Sequence, residues 1–157
     1  MKVKVAYLPY VWIVFFLLVL AGVLVFHKST DEFAKGVFGG VPIVLEYAVT
    51  DEARERGLSG REEVPDRFGM LFVFTEDAKH GFWMKDMLVP IDIFWLNVER
   101  EVVSIAKDVS PSSYPQSFYP GALARSVLET RAGFADAYGI ATGTTLLLKD
   151  ISWFSDR

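Results

Sequence analysis

Hydrophobic residues follow two patterns along this chain, one continuous and one broken into short runs. Residues 5–26 carry no charged side chain, and a helix needs roughly 20 apolar residues to cross a bilayer. From residue 41 onward the apolar residues form short runs, separated by glycine, proline and charged residues, which is typical of β-strands. The 157 residues therefore predict an N-terminal apolar segment followed by one domain.

The apolar segment is interpreted as a membrane anchor over residues 1–27. A cleaved signal peptide is the first alternative, but its apolar region normally spans about 7–15 residues and ends in small residues. Here the run is longer and ends Val-Leu-Val-Phe; a buried helix is the second alternative. Lys2 and Lys4 precede the run, which favours a single-pass protein of the cell membrane with its C-terminal domain outside the cytoplasm. Lys28 and Lys35 weaken that bias.

The rest of the chain is predicted to be a linker over residues 28–36 and a β-rich domain over residues 37–157. Its predicted strands are 41–49, 69–75, 82–85, 91–96, 102–107, 127–130, 144–149 and an edge strand at 151–154. Short helices are predicted over residues 51–59, after the N-cap Thr50, and over 133–138. The segment 109–124 contains three prolines and four serines and is predicted to be one long loop.

These elements predict an α+β domain that is mostly β. We expect a compact, barrel-like sheet with one or two short helices. Both faces of residues 69–75 are apolar, because alternate residues of a strand point to opposite faces. This strand is therefore expected to lie at the centre of the sheet and to be buried.

Composition excludes several classes of function. The chain has no cysteine and two histidines, so disulfides, thiolate catalysis and an ordinary zinc site are excluded, and no metal or cofactor is expected. Residues 36–157 carry 12 basic and 18 acidic side chains, a net charge of −6. Because phosphate backbones attract basic surfaces, no nucleic-acid partner is expected either.

Two carboxylates on predicted strands are the candidates for chemistry. Asp92 alternates with Phe94 and Leu96 on an apolar face, and a buried carboxylate is costly unless it is paired. Glu129 shares a face with Val127 and Arg131. Each is expected either to form a structural pair or to lie in a ligand pocket. The candidate partners are Lys85, Arg54, Arg56 or Arg61 for Asp92, and Arg131 or a helix arginine for Glu129. If both converged in one cleft, they would form an acid/base pair.

Four further side chains complete the predicted site. Trp83 and Lys85 share a face of one predicted strand, where an indole next to a cation can form a floor for sugars or flat ligands. Core packing is the alternative for Trp83. Arg54 and Arg61 are seven residues apart and can clamp a carboxylate or a phosphate. Their alternative is a solvated face of surface ion pairs.

Several motifs together give the chain a family resemblance. They are Leu45-Glu46-Tyr47-Ala48, Arg54-x-Arg56-Gly57-Leu58, Gly60-Arg61, Gly69-Met70-Leu71-Phe72-Val73-Phe74, Phe82-Trp83-Met84-Lys85, Pro90-Ile91-Asp92, Val127-Leu128-Glu129, Ala132-Gly133 and Gly143. In these the chain resembles DUF192, also called UPF0127, a small prokaryotic domain. The chain departs from the family pattern at Ser59, Asp86, Met87 and Thr144. The resemblance implies a β-rich fold and a frequent N-terminal export or anchor segment, and it implies no reaction.

Three hypotheses for function follow. The first is a binding module for a small molecule or a glycan, with a pocket lined by Trp83, Lys85, Asp92 and Glu129. The second is an acid/base enzyme that uses Asp92 and Glu129 on an envelope glycan or a similar polymer. The third is a structural or assembly partner of an envelope protein, with the loop 109–124 as its contact surface.

Overall fold

The structure is a computed structural model that describes residues 33–149. The predicted anchor (1–27) and the predicted edge strand (151–154) lie outside the described residues. Within residues 33–149, no helix is long and apolar enough to cross a bilayer. The anchor and the side of the membrane therefore stay predictions.

Most of the described chain is β-structure. The strands are β1 (Phe33–Phe38), β2 (Val41–Ala48), β3 (Phe68–Ala78), β4 (Phe82–Trp83), β5 (Ile91–Leu96), β6 (Val102–Val109), β7 (Ser117–Phe118), β8 (Ala124–Arg131) and β9 (Leu146–Leu148). The helices are α1 (Asp51–Arg56), α2 (Phe134–Tyr138) and a 3-10 turn (Pro111–Ser113). Seven strands form a sheet in the order β6-β5-β8-β3-β2-β1-β9, and β4 pairs with β7.

The large sheet curls so that its two edges meet at one end. The amide of Val102, at the start of β6, donates to the carbonyl of Thr144 at 2.9 Å, and the amide of Leu146 in β9 donates to the carbonyl of Arg100 at 2.9 Å. Glu101 and Thr145 form an isolated bridge. The prediction of an α+β, mostly β domain is therefore confirmed; the expected barrel-like sheet is a curled half-barrel, and two short helices accompany it.

The sheet is buried on both faces by two separate apolar cores. The α2-side core includes Phe38, Leu45, Phe94, Leu128 and the helix residue Phe134. The α1-side core is made by residues of the opposite alternation and by the segment after α1, and includes Leu58, Met70, Phe72, Ile93 and Val127. Strand β3 contributes to both cores and lies between β8 and β2, so the predicted central position of this strand is confirmed.

The parallel pair in the sheet, β2 with β3, determines where the chain crosses. Parallel neighbours need a crossover connection, and residues 49–67 provide it. Thr50 caps α1, because its Oγ1 accepts from the amide of Ala53 at 3.1 Å, and the predicted N-cap is correct. The helix ends at Arg56 because Gly57 has φ +52° and ψ −137°, a region open essentially only to glycine.

Two segments predicted to lack secondary structure, the linker and the loop 109–124, contain strands. The first described residues of the predicted linker, Phe33 to Gly36, belong to β1, which pairs with β2. Burial alternates along this six-residue strand, but its exposed face carries Phe33 and Val37 and its buried face carries Gly36, so the sequence shows no apolar–polar alternation. The predicted loop 109–124 contains β7, whose Phe118 pairs with Phe82. A strand this short leaves no periodic pattern.

Asp92 is a fully buried acceptor for two backbone amides. Its Oδ2 accepts from the amide of Ala135 at 2.8 Å, and its Oδ1 accepts from the amide of Asp108 at 2.8 Å. The N-cap of α2 is Gly133, which offers no side chain, so a carboxylate from β5 caps this helix instead. The expected pair with Lys85 or an arginine is wrong, because backbone N–H groups supply the partners.

We expect Asp92→Asn to lower the free energy of unfolding by about 2–4 kcal/mol, because an amide nitrogen would face a buried N–H donor. Urea denaturation of the full chain measures this. The control is Asp136→Asn, which removes an exposed ion pair with Lys107 worth at most about 1 kcal/mol. Equal losses in the two variants would contradict the capping role of Asp92.

Candidate functional site

A cavity of about 410 Å³ opens on the α1 side of the sheet. Its walls come from α1 and the turn after it, from β3, and from the segment that leads into β4. The lining residues are Arg54, Glu55, Arg56, Gly57, Leu58, Ser59, Phe72, Phe74, His80, Gly81, Phe82, Trp83, Met87 and Glu129. The crossover between β2 and β3 thus forms one wall, and the sheet forms the floor.

Glu129 is the acidic group of the floor. It belongs to a row of paired residues that runs across four strands, from Glu46 through Met70 and Glu129 to Ile93. Its side chain is 4% exposed, and its Oε2 has no hydrogen-bond partner. Burial raises the pKa of the Glu129 carboxyl to about 8, and the charge of Arg61 opposes this shift. Glu129 is therefore mostly protonated at neutral pH in the ligand-free protein.

The basic residues expected to form an ion pair with Glu129 bind other carboxylates. The Arg61 guanidinium lies 2.7 Å and 2.8 Å from the two carboxylate oxygens of Glu46. Arg131 pairs with Asp66 at 2.9 Å. The expectation that Glu129 pairs with Arg131 or a helix arginine is therefore wrong, because closer carboxylates hold those cations.

Gly57 brings the backbone of the crossover close to this carboxyl. A Cβ at Gly57 would lie 3.7 Å from Oε2 of Glu129 and 3.4 Å from the ring of Phe72. Both are ordinary contacts, so the space alone admits a side chain. The backbone conformation of Gly57, with its positive φ, is unfavourable for any residue that has a side chain, and glycine is therefore required at this position.

Aromatic rings form the side walls of the cavity. Phe72 and Phe82 meet edge to face, with their centroids 4.9 Å apart. Phe74 stacks on His80 at 3.6 Å. Trp83 is 47% exposed and contacts Tyr114, with centroids 6.3 Å apart, so its indole lies at the rim. These rings give the cavity flat apolar walls above the carboxyl group of Glu129.

The side chain of Arg54 stabilises the wall of the cavity through hydrogen bonds. Its Nη1 donates to the carbonyls of Val49 at 2.7 Å and Val73 at 3.0 Å, and its Nη2 binds Asp51 at 2.6 Å. The guanidinium also lies 5.5 Å from the ring centroid of Phe74. These contacts tie α1 to β3 and hold the wall in place, with the charge of Arg54 balanced by Asp51.

The structure brings together three of the six predicted site residues. Glu129, Trp83 and Arg54 line the cavity. Lys85 is exposed in a turn after β4, and its carbonyl accepts from Ser59 Oγ at 2.9 Å. Arg61 lies on the same side of the sheet but is bound to Glu46.

Asp92 and Glu129 do not converge. Glu129 is paired with Ile93, the neighbour of Asp92, so the two carboxylates point to opposite faces of the sheet. Asp92 is fully buried beside α2 and does not line the cavity. The arrangement removes the predicted acid/base pair. Among residues 33–149, no group of three or more His, Asp or Glu side chains is placed to hold a metal ion.

The other residues that line the cavity are not among the site residues predicted from the sequence. Phe72, Phe74 and Phe82 belong to apolar strands, and only the gap left by the crossover exposes their rings to a cavity. His80 stands alone in a loop. Two of the four departures from the family pattern, Ser59 and Met87, line the cavity, whereas Asp86 and Thr144 do not.

Two solved structures resemble the described domain. A candidate transcription regulator from Sinorhizobium meliloti 1021 is 26% identical over 74% of this chain and 92% of its own chain, with a TM-score of 0.68. A protein of unknown function from Novosphingobium aromaticivorans DSM 12444 is 27% identical over 76% of this chain and 88% of its own, with a TM-score of 0.70. No curated protein matches significantly.

A family model also matches the chain from residue 35 to residue 148. The match includes every strand from β2 to β9 and the cavity they surround. The family is described as an uncharacterized ACR. This chain belongs to the DUF192 family.

Proposed function

We propose that this domain is a binding module for a small molecule or a glycan unit, which it takes up in the cavity above Glu129. The observation that carries the proposal is the buried carboxyl with an unpartnered Oε2 in the floor of an aromatic-walled cavity. Burial of an unsatisfied polar group costs free energy, and a ligand that hydrogen-bonds to Glu129 offsets that cost.

The shape and lining of the cavity support this function. Ligand sites are typically concave, mostly apolar and provided with a few polar groups that orient the ligand. Here Phe72, Phe82 and Trp83 supply flat surfaces and Glu129 supplies the polar group. The volume of about 410 Å³ suits a ligand the size of one sugar ring or one aromatic ring with substituents.

The proposal also includes the location of the module. The uncharged run 5–26 and the preceding Lys2 and Lys4 support a single-pass anchor, with the domain outside the cytoplasm. Residues 33–149 carry 12 basic and 16 acidic side chains. This balance gives no support to the nucleic-acid role that the description of the S. meliloti protein implies, because DNA attracts basic surfaces.

A second candidate function is docking to another protein through the segment 109–124. Three of its large side chains are strongly exposed, Tyr114 at 47%, Tyr119 at 64% and Leu123 at 58%. Exposed apolar residues that cluster are typical of protein interfaces. Failure of every small ligand to bind the cavity would favour this second function.

We expect a ligand of the cavity to raise the melting temperature of the full chain. A panel of envelope sugars, amines, nucleotides and short peptides tests this. At 100 times its dissociation constant, a ligand adds roughly 2.7 kcal/mol of stability, on the order of 10 °C for a domain of this size.

The Trp83→Ala variant should lose this shift, because it removes an aromatic surface at the rim. The matched control is Phe33→Ala, which removes another exposed aromatic residue, 58% exposed and outside the cavity. A shift that survives in Trp83→Ala, or a flat panel, would contradict the proposed site.

We expect a pH-dependent stability term from Glu129. Its pKa is about 8 in the folded protein and ordinarily 4.5, so the unfolded chain releases this proton first. The stability it contributes is complete below pH 4.5 and is lost as the pH rises to about 8, by about 1.4 kcal/mol per pH unit.

Urea denaturation of the wild type and of Glu129→Gln at several pH values checks this term. The variant cannot titrate at this position, so the difference in unfolding free energy between the two proteins should change steadily across that pH range. A difference that is constant with pH would show that Glu129 keeps an ordinary pKa.

A further inference from the structure

We infer that the part of the ligand that reaches Glu129 is an organic cation with N–H donors, such as a primary ammonium or a guanidinium group. The inference rests on the proposed function and names the ligand class for the same cavity. It stands on the arrangement of charges and rings around the carboxyl.

The first support is the missing counterion of Glu129. Buried carboxylates in proteins are paired with a cation or hydrogen-bonded, as Glu46 is with Arg61 and as Asp92 is with two amides. Within residues 33–149, no basic side chain forms an ion pair with Glu129, and its buried Oε2 has no hydrogen-bond partner. A cation from outside the protein would complete this site in the way that Arg61 completes the neighbouring one.

The second support is the set of aromatic walls. Cations bind over aromatic faces, and the attraction grows when water is excluded. This protein already uses the interaction on the same side of the sheet, where Arg54 lies 5.5 Å from the ring centroid of Phe74 and Arg61 lies 5.5 Å from that of Phe68. Phe72, Phe82 and Trp83 offer further rings to a ligand in the cavity.

The third support concerns the chemistry of the cation. Oε2 of Glu129 lacks a hydrogen-bond donor, and an ammonium or guanidinium group provides N–H donors together with the charge. A quaternary ammonium provides the charge alone and would leave Oε2 unsatisfied. The inferred group is therefore an N–H cation.

The other charged groups around the cavity largely balance one another, so they do not provide a counterion for Glu129. The other titratable groups are Arg54, Glu55, Arg56 and His80 in the lining and Glu46 and Arg61 on the same face of the sheet. The charge of Arg54 is balanced by Asp51 at 2.6 Å, and that of Arg61 is balanced by Glu46. Glu55 and Arg56 are exposed neighbours of opposite sign. The net charge of the chain is −4, which attracts cations in general.

The test is isothermal titration of the full chain with benzylamine, benzyl alcohol and benzyltrimethylammonium. These probes share one ring and differ in charge and in N–H donors. We expect benzylamine to bind most tightly. Its binding requires ionised Glu129 and the protonated amine, so its affinity should rise about tenfold per pH unit below pH 8 and level off between pH 8 and the pKa of the amine itself.

Two variants make the test specific. Glu129→Gln should lose the preference for benzylamine over benzyl alcohol and should lose the pH dependence. Asp136→Asn removes an acidic group on the surface, where it pairs with Lys107, and should bind benzylamine like the wild type.

The outcomes separate this inference from the proposed function. Three results would each overturn the inferred cation and leave a binding site for neutral ligands. They are benzyl alcohol binding as tightly as benzylamine, an affinity for benzylamine that falls as the pH rises toward 8, and an unchanged Glu129→Gln variant. Failure of benzylamine to bind, while another compound raises the melting temperature through Trp83, would do the same. If no compound binds at all, both the inference and the proposed function fail.

Discussion

The fold depends on one constraint. Both faces of the sheet are covered, so successive residues of each strand point alternately into one hydrophobic core and into the other. Neighbouring residues of β5 and β8 belong to different cores, as Ile93 and Phe94 do. A polar residue inside the sheet can therefore find hydrogen-bond or charge partners only on the face to which its position assigns it. Asp92 and Glu129 are close in the sheet and yet belong to separate environments, and their different chemistry follows from that separation.

The two carboxylates show how the surroundings decide between a structural and a functional role. On the α2 side, a helix that begins after a glycine lacks a cap, and Asp92 provides it. On the α1 side, the cations that could reach Glu129 are bound to Glu46 and Asp66. Its carboxyl is left beside a cavity with a raised pKa. Such perturbed groups occur often at functional sites.

Much of the fold could be predicted from the sequence, because its strands carry a clear alternation and its glycines mark the turns. The bounds of β5 and the N-cap at Thr50 are correct as predicted. Strand β1 and strand β7 were missed because short or interrupted alternation carries little signal. Of the six predicted site residues, Arg54, Trp83 and Glu129 line the cavity. The partners of Asp92 and Arg61 depend on the pairing of distant strands, which one sequence does not encode locally.

The parallel pairing of β2 with β3 has a consequence for how this architecture can diversify. The crossover forms a wall of the cavity, whereas the strands form its floor. The residues that shape the entrance and the residues that stabilise the fold therefore lie largely in different segments. Changes in the length or sequence of a surface connection cost little stability. Selection can thus remodel the entrance through the crossover residues that line the cavity outside the core, such as Glu55, Arg56 and Ser59, while the framework beneath stays intact, so a single scaffold can serve ligands of different shape.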